Sequence, residues 1–373
     1  MRNVNFRLKL SANLNCLLLI ISYFLLLSPQ IFCEKKTWYP VDVDVWEPPF
    51  NDTRQRVQKQ YKPLEKTQKK WHIQVFIPHL KDAYWLGVNY GLMDEARRLN
   101  VKLTIQQAGG YGHLDIQKKQ IESILKSENE KPDGVIISAI SENGLNELVK
   151  KLSENQVPVI DLINGMSSPF ISSRVAVSFR DMGFQAGNFI SNHQKKNNKP
   201  LAVGWFPGPE GAAWVAAGDK GFKEAIKGSD IRIMVSQKGD TGSAAQSKLL
   251  NNALDSFSQK IDIIAGTAVS AEVAVNIVRK RGLKKKIKVL SYYYGPGVHR
   301  GIRRGDILAA PTDHPVLQAR IAIDTMIRII EKKDYDKHIA PKVIVIDRNN
   351  IRKWDSSTTL APRGFKPVFS INE

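Results

Sequence analysis

The chain has 373 residues, 42% of them hydrophobic, and a formal charge of +19. That length exceeds what a single core usually serves, so two lobes are expected, and no repeat or Gly/Ser-rich tract points to a solenoid or a disordered linker. Two cysteines, Cys16 and Cys33, are too few for a disulfide framework or a cysteine-built zinc site.

The N-terminus reads as an export leader. Arg2, Arg7 and Lys9 form a positive start, Leu17–Ile21 and Tyr23–Leu27 an apolar run, and Ser28-Pro29 a break before the small residue Cys33. This is the layout of a signal peptide covering residues 1–33, with cleavage near residue 33 and export of the mature chain. A membrane anchor is the competing reading, but a span asks for ~20 apolar residues. Residues 34–70 read as an extension punctuated by Pro40, Pro48, Pro49 and Pro63, with Trp38, Tyr39, Trp46 and Phe50 available to wrap onto a lobe. Positive charge clusters at Arg54–Lys70 and again at Arg279–Lys288. A solvated basic surface is one reading, and contact with anionic lipid or an acidic partner the other. No DNA-reading motif appears, and nucleic acid is not expected as a partner.

From Trp71 onward strands and helices alternate. The predicted strands are 72–78, 101–107, 133–138, 157–162 and 174–178, with helices over 84–99, 114–126 and 143–155. The pattern restarts with a helix over 182–194. Strands follow at 201–206, 231–236, 261–265 and 287–292, with helices at 214–227, 243–257 and 271–281. A strand at 307–310, a helix over 314–331 and a strand at 342–346 close the series. Short apolar strands joined by helices demand right-handed crossovers and parallel sheets. Two such series predict an α/β chain of two Rossmann-like lobes. The expected lobes are 71–178 with 312–340, and 179–311 with 341–373, joined by three hinge crossings near Phe179, Pro311 and Pro341.

Ligands of such sheets sit outside the carboxyl ends of the strands. Those ends carry His79, Asp82, Tyr84 and Trp85; then Gly109-Gly110-Tyr111; then Phe179-Arg180-Asp181 at the first crossing. Trp205, Trp214, Gly266-Thr267 and Tyr292-Tyr293-Tyr294 follow, and Asp313 lies at the return crossing. The inventory is aromatic with a few carboxylates, a composition that suits a cationic or quaternary nitrogen. Strand alternation allows only part of the Tyr292–Tyr294 run to reach the cleft. No nucleophile elbow, His-Glu-x-x-His or P-loop lysine is present, so no enzyme, metal or cofactor is expected. Asp82 and Asp181 lack a nucleophile to serve as an acid–base pair.

At this level of detail the chain resembles a known family. The strings Asp82-Ala-Tyr-Trp-Leu86, Asn89-Tyr-Gly91, Ala108-Gly-Gly-Tyr111, Met182-Gly183, Ala265-Gly-Thr-Ala268, Arg300-Gly301 and Pro362-Arg-Gly-Phe-Lys-Pro-Val368 are similar to those of the TorT family of periplasmic sensor proteins. The resemblance runs from about Trp71 to Phe369. It implies the periplasmic binding protein type I fold and a trimethylamine N-oxide ligand, or a related methylated amine. It also implies a partner, the sensor domain of a membrane histidine kinase. The ligand cage it implies uses Asp82, Tyr84, Trp85 and Tyr111 on one lobe and Tyr293 on the other. Phe179 stands where the family has a tryptophan, and Asp181 completes the expected binding set. Gly218 stands where sugar-binding members of the wider group carry an arginine, which argues against a sugar.

Overall fold

The computed structural model describes Trp38 and residues 40–51, 55–127, 131–197 and 199–372. The expected leader with Cys16 and Cys33, and Tyr39 after it, lies outside the described residues. The chain divides into a unit ending at Tyr39 and one that begins at Pro40 and carries the fold. Among the described residues no helix is long and apolar enough to cross a membrane.

Two strands, β1 (Val41–Val45) and β2 (Val57–Tyr61), precede the alternating series. The first series is β3 (His72–Ile77), α1 (Ala83–Arg98), β4 (Lys102–Gln107), α2 (Leu114–Lys126), β5 (Gly134–Ile137), α3 (Asn146–Glu154), β6 (Val159–Leu162) and β7 (Ser173–Val175). The second is α4 (Phe179–Asn197), β8 (Leu201–Phe206), α5 (Ala213–Ile226), β9 (Ile231–Ser236), α6 (Ser243–Phe257), β10 (Ile263–Gly266), α7 (Ala268–Lys280), β11 (Lys288–Ser291), α8 (Pro296–Arg304) and β12 (Ala309–Thr312). Helix α9 (Pro315–Ile330), β13 (His338–Pro341), β14 (Ile344–Asp347) and β15 (Ser370–Ile371) complete it.

The first sheet runs β15-β4-β3-β5-β6-β7-β13-β1-β2 and the second β11-β10-β8-β9. The six strands from β4 to β13 are parallel, as are all four of the second sheet. β5 and β6 are buried at every residue. Helices cover both faces of a parallel sheet, so its strands read as unbroken apolar runs. In each sheet the chain order reverses beside the first strand of its series, between β3 and β5 and between β8 and β10. Such reversals open a crevice at the carboxyl edge.

The ends of the series differ from the sequence reading. The extension supplies β1, which pairs antiparallel with β13, and β2, which pairs with β1. Val41-Asp-Val-Asp-Val45 is a period-two alternation with Val43 and Val45 buried, a strand signal that the surrounding prolines hid. Residues 341–373 do not stay with the second sheet: β15 returns to pair with β4 of the first. β12 and β14 form their own antiparallel ribbon. Helix α8 went unpredicted because it is short, although Pro296 at its start and left-handed Gly305 at its end are sound stop signals. The chain passes from one half to the other after β7, between β12 and α9 and between β13 and β14, and returns once more between β14 and β15.

Candidate functional site

The carboxyl ends of the two sheets face each other across a small cavity lined by Asp82, Tyr84, Trp85, Tyr111, Ile163, Asn164, Phe179, Trp214, Thr241 and Tyr293. The cavity's free volume is small, about 20 Å³, room for a compact guest and not for an extended one.

Asp82 caps the N-terminus of α1, its carboxylate accepting from the backbone N–H of Tyr84 at 3.1 Å and of Trp85 at 3.2 Å. The cap turns the Tyr84 and Trp85 rings into the cavity. Burial pushes the Asp82 carboxyl up to about 6, and the Glu272 and Asp240 carboxylates add to the rise against the two backbone bonds. Tyr84 donates its hydroxyl to Asp313 Oδ2 at 2.5 Å, and its ring meets Tyr293 edge-on at 5.4 Å. Gln318 also donates to Asp313 Oδ2, at 2.9 Å. Among the described residues Asp313 Oδ1 has no hydrogen-bond partner. Burial pushes Asp313 to about 6 as well.

Tyr111 reaches the cavity because Gly109 and Gly110 take φ of 92° and 148°, angles closed to most side chains. Asn164 donates to the Tyr111 hydroxyl at 3.1 Å. Asn164 is placed by a tight turn in which its N–H bonds to the Leu162 carbonyl at 2.8 Å, centred on Ile163 at φ 70°. A β-branched residue in that region stores roughly 1–3 kcal/mol of strain, here at the cavity wall. His79 lies beneath, edge-on to Trp85 and Tyr111 at 6.1 and 5.7 Å. Its Nδ1 accepts from Lys81 N–H, which assigns the proton to Nε2, 3.3 Å from Thr241 Oγ1. Burial lowers His79 to about 4 and keeps it neutral.

Trp214 on α5 is the ring around which the second half of the wall is built. It lies 6.0 Å from Tyr111, 5.7 Å from Phe179 and 6.1 Å from Tyr293, centroid to centroid. Among the described residues its buried indole N–H closes no hydrogen bond of good geometry, though it is near enough to the Tyr111 hydroxyl to oppose that phenol's burial-raised pKa. The cavity therefore holds π faces, one carboxylate and one spare donor. Rings of this kind attract a cation through their quadrupole.

Of the seven residues expected from sequence, Asp82, Tyr84, Trp85, Tyr111, Phe179 and Tyr293 meet here. Asp181 does not: it lies off the cavity, ion-paired with Arg56 at 3.1 Å. Tyr292 is core, its hydroxyl donating to the Pro207 carbonyl at 2.8 Å, and Tyr294 faces Trp354 at 4.8 Å. Trp205 is also core, stacked on Phe222 at 4.0 Å. Asn164 and Thr241 were passed over in the sequence, yet both follow strands, β6 and β9, and the strand-end rule points at them. Trp214 lies further into its loop and helix, where that rule is weaker. Among the described residues no group of three or more His, Cys, Asp or Glu is placed to hold a metal.

A family model for the periplasmic binding protein domain matches residues 73–334. Periplasmic protein TorT of Escherichia coli (strain K12) is 34% identical over 304 residues, 82% of this chain and 86% of TorT. Among solved structures, an ABC transporter solute binding protein from Bradyrhizobium sp. BTAi1 with bound Bis-Tris is 46% identical. That match covers 89% of this chain and 99% of the other at a TM-score of 0.77. A chain in the TorS sensor domain–TorT complex in the presence of TMAO is 28% identical, with 81% and 100% covered and a TM-score of 0.73. With the matched stretch running from β3 past the end of α9, and so through both sheets, the chain belongs to the periplasmic binding protein family and has its type I fold.

Proposed function

We propose that this protein is a periplasmic receptor for trimethylamine N-oxide or a close methylated amine, exported by cleavage of its leader near residue 33. The carrying observation is the cavity itself: Tyr84, Trp85, Tyr111, Phe179, Trp214 and Tyr293 around one carboxylate and one unspent N–H, in a small space. Methyl groups on a positive nitrogen pack against ring faces, Asp82 answers the charge, and the Trp214 N–H is free to donate to an N-oxide oxygen. A hexose has about a dozen heavy atoms and several hydroxyls, more volume and more hydrogen bonds than this wall offers.

The ligand touches residues of both sheets only when they face each other closely, so binding shifts the population toward closure about the passages near Phe179, Pro311 and Pro341. The lobes are then the two sheets with their helices, with β1, β2 and β15 added to the first. The closed surface is the signal, read by the sensor domain of a membrane histidine kinase. The TorT likeness supports that partner. A second reading, delivery of an amine to a membrane permease, is favoured by the 46% identical transporter protein with its bound amine buffer.

The test is a tryptophan-fluorescence and calorimetric titration with trimethylamine N-oxide, trimethylamine and betaine. Five heavy atoms at ~1.5 kcal/mol each cap the affinity near −7.5 kcal/mol, roughly micromolar. Micromolar binding supports the proposal. Silence toward all three compounds removes it, and nanomolar binding of a larger amine would replace the ligand. Ligand-dependent capture of a kinase sensor domain, or of a permease, separates the two readings.

A further inference from the structure

The ligand reading leaves the concentrated positive charge unused. The run from Arg279 to Lys288 spans the end of α7, a turn and the start of β11. Asp306 draws a second segment to it, accepting from Arg279 at 3.0 Å and Lys284 at 2.7 Å. Asp306 follows the last turn of α8, which ends Arg303-Arg304. Beside it the Arg348 guanidinium comes within 3.3 Å of where a Cβ on Gly305 would stand. Arg281 is tied to Asp255 at 2.7 Å and Lys286 to Gln259 at 2.6 Å. Among the described residues Lys280, Lys285, Lys288, Arg303, Arg304 and Arg348 are exposed and make no ion pair. Three chain segments thus converge on one surface with spare cations.

We infer that this surface docks the protein electrostatically on an anionic lipid membrane. Protein–protein interfaces are built round an apolar or aromatic centre and are depleted in lysine. Here the spare charges sit on helix ends and a turn, and the run's large apolar side chains Leu283 and Ile287 are half-buried and buried. Exposed cations without an apolar centre suit a diffuse negative surface such as phosphatidylglycerol headgroups. The position fits as well. The patch lies at the amino ends of the second sheet's strands, and the cavity at their carboxyl ends. Lys288 and the cavity's Tyr293 are separated by about 16 Å of extended chain. Docking therefore leaves the cavity free while holding the receptor close to membrane-embedded partners.

The experiment is co-sedimentation of the exported protein with vesicles of phosphatidylcholine alone and of phosphatidylcholine with 30% phosphatidylglycerol, in ~50 mM and ~500 mM salt. Binding is expected only to the anionic vesicles and only at low salt. The triple variant Lys280→Gln, Lys285→Gln, Lys288→Gln is expected to lose about two orders of magnitude in partitioning, roughly fivefold per charge. A control triple on the other half, Lys119→Gln, Lys126→Gln, Lys150→Gln, is expected to change it little, and both triples should keep the thermal unfolding of the parent. Equal losses from the two triples would reduce the effect to net charge and overturn the patch. So would equal binding to neutral vesicles, or none to anionic ones.

Discussion

Asp82 serves two purposes that pull its ionisation in opposite directions. As the cap of α1 it accepts two backbone hydrogen bonds, which favour the carboxylate, while burial favours the acid and prevails. Asparagine caps a helix as well as aspartate does and carries no charge to bury. Asp82→Asn is therefore expected to be as stable as the parent at pH 7.5 or about 1 kcal/mol more stable, and to bind tetramethylammonium at least tenfold more weakly. Calorimetry on the one protein reads both. A loss of stability without a loss of affinity would make Asp82 a cap and nothing more. Trp214→Phe separates ring from donor. It keeps a π face and deletes the N–H, so trimethylamine N-oxide should lose roughly 1 kcal/mol, about fivefold, while tetramethylammonium, which has no oxygen, should lose much less. At this scale the sequence was legible in the aromatic-rich segments after β3, β4 and β7, and not at Asn164 and Thr241, whose polar side chains after β6 and β9 carry no such signal. Asp181 and Asp313 looked alike in the sequence, both carboxylates at crossings. Their difference lies in partners distant in sequence: Arg56 takes Asp181, and Tyr84 takes Asp313.

The elements that the sequence obscured are those whose role is to join the halves. β1 and β2 sit in a proline-broken stretch, and only the partner strand β13, nearly three hundred residues on, supplies the ladder that makes them a sheet edge. The pair does more than extend the sheet. Trp46, just past β1, stacks on His338 at 3.9 Å, and the Arg56 guanidinium lies 4.0 Å over the Trp46 ring. Arg56 then reaches Asp181 on α4, the first helix of the second series. A strap anchored to the first sheet by its backbone thus reaches the second series through the Arg56–Asp181 ion pair, a pair that the proposed opening would stretch. Arg56→Gln and Asp181→Asn should each weaken ligand binding several-fold, on the order of 1 kcal/mol for a part-buried pair, though neither touches the cavity. The double variant should be little worse than either. Additive losses in calorimetry would show that the pair does not bridge the closure. Helices α4 and α5, by contrast, were legible from periodicity, but their closeness was not. A Cβ on Gly183 would stand 2.0 Å from the Gly218 carbonyl oxygen. Gly183→Ala should therefore cost about 1–3 kcal/mol in denaturant unfolding by overpacking.

For the molecule as a whole, buried titrating groups set how stability and ligand binding vary together with pH. Burial lowers His79 and His314 to about 4 and His338 to about 3, against an unfolded value near 6.5. These groups are neutral in the folded chain and protonate on unfolding, so their contribution is complete above pH 6.5 and is lost as pH falls toward 4. Asp82 and Asp313 act the other way. Raised to about 6, they bind protons in the folded state that the unfolded chain releases, so they return stability as pH falls below 6. Each group contributes about 1.4 kcal/mol per pH unit within its window. His299 is lowered by burial as well, and Asp44 and Glu272 are raised by it, so the acid loss is steepest just below pH 6.5, before the raised carboxylates take up protons, and is largely offset below 6. A permanent cation in the cavity changes this balance. It holds Asp82 ionised, removes that offset, and makes the complex more acid-sensitive than the free protein. The affinity for tetramethylammonium should then fall toward tenfold per pH unit below 6 and level off above 7, with about one proton released per ligand bound near pH 5. Titrations from pH 5 to 8 in buffers of differing ionisation enthalpy measure both quantities. An affinity flat across that range, with no proton released, would mean that the Asp82 carboxylate does not face the bound cation and that ring faces alone hold it.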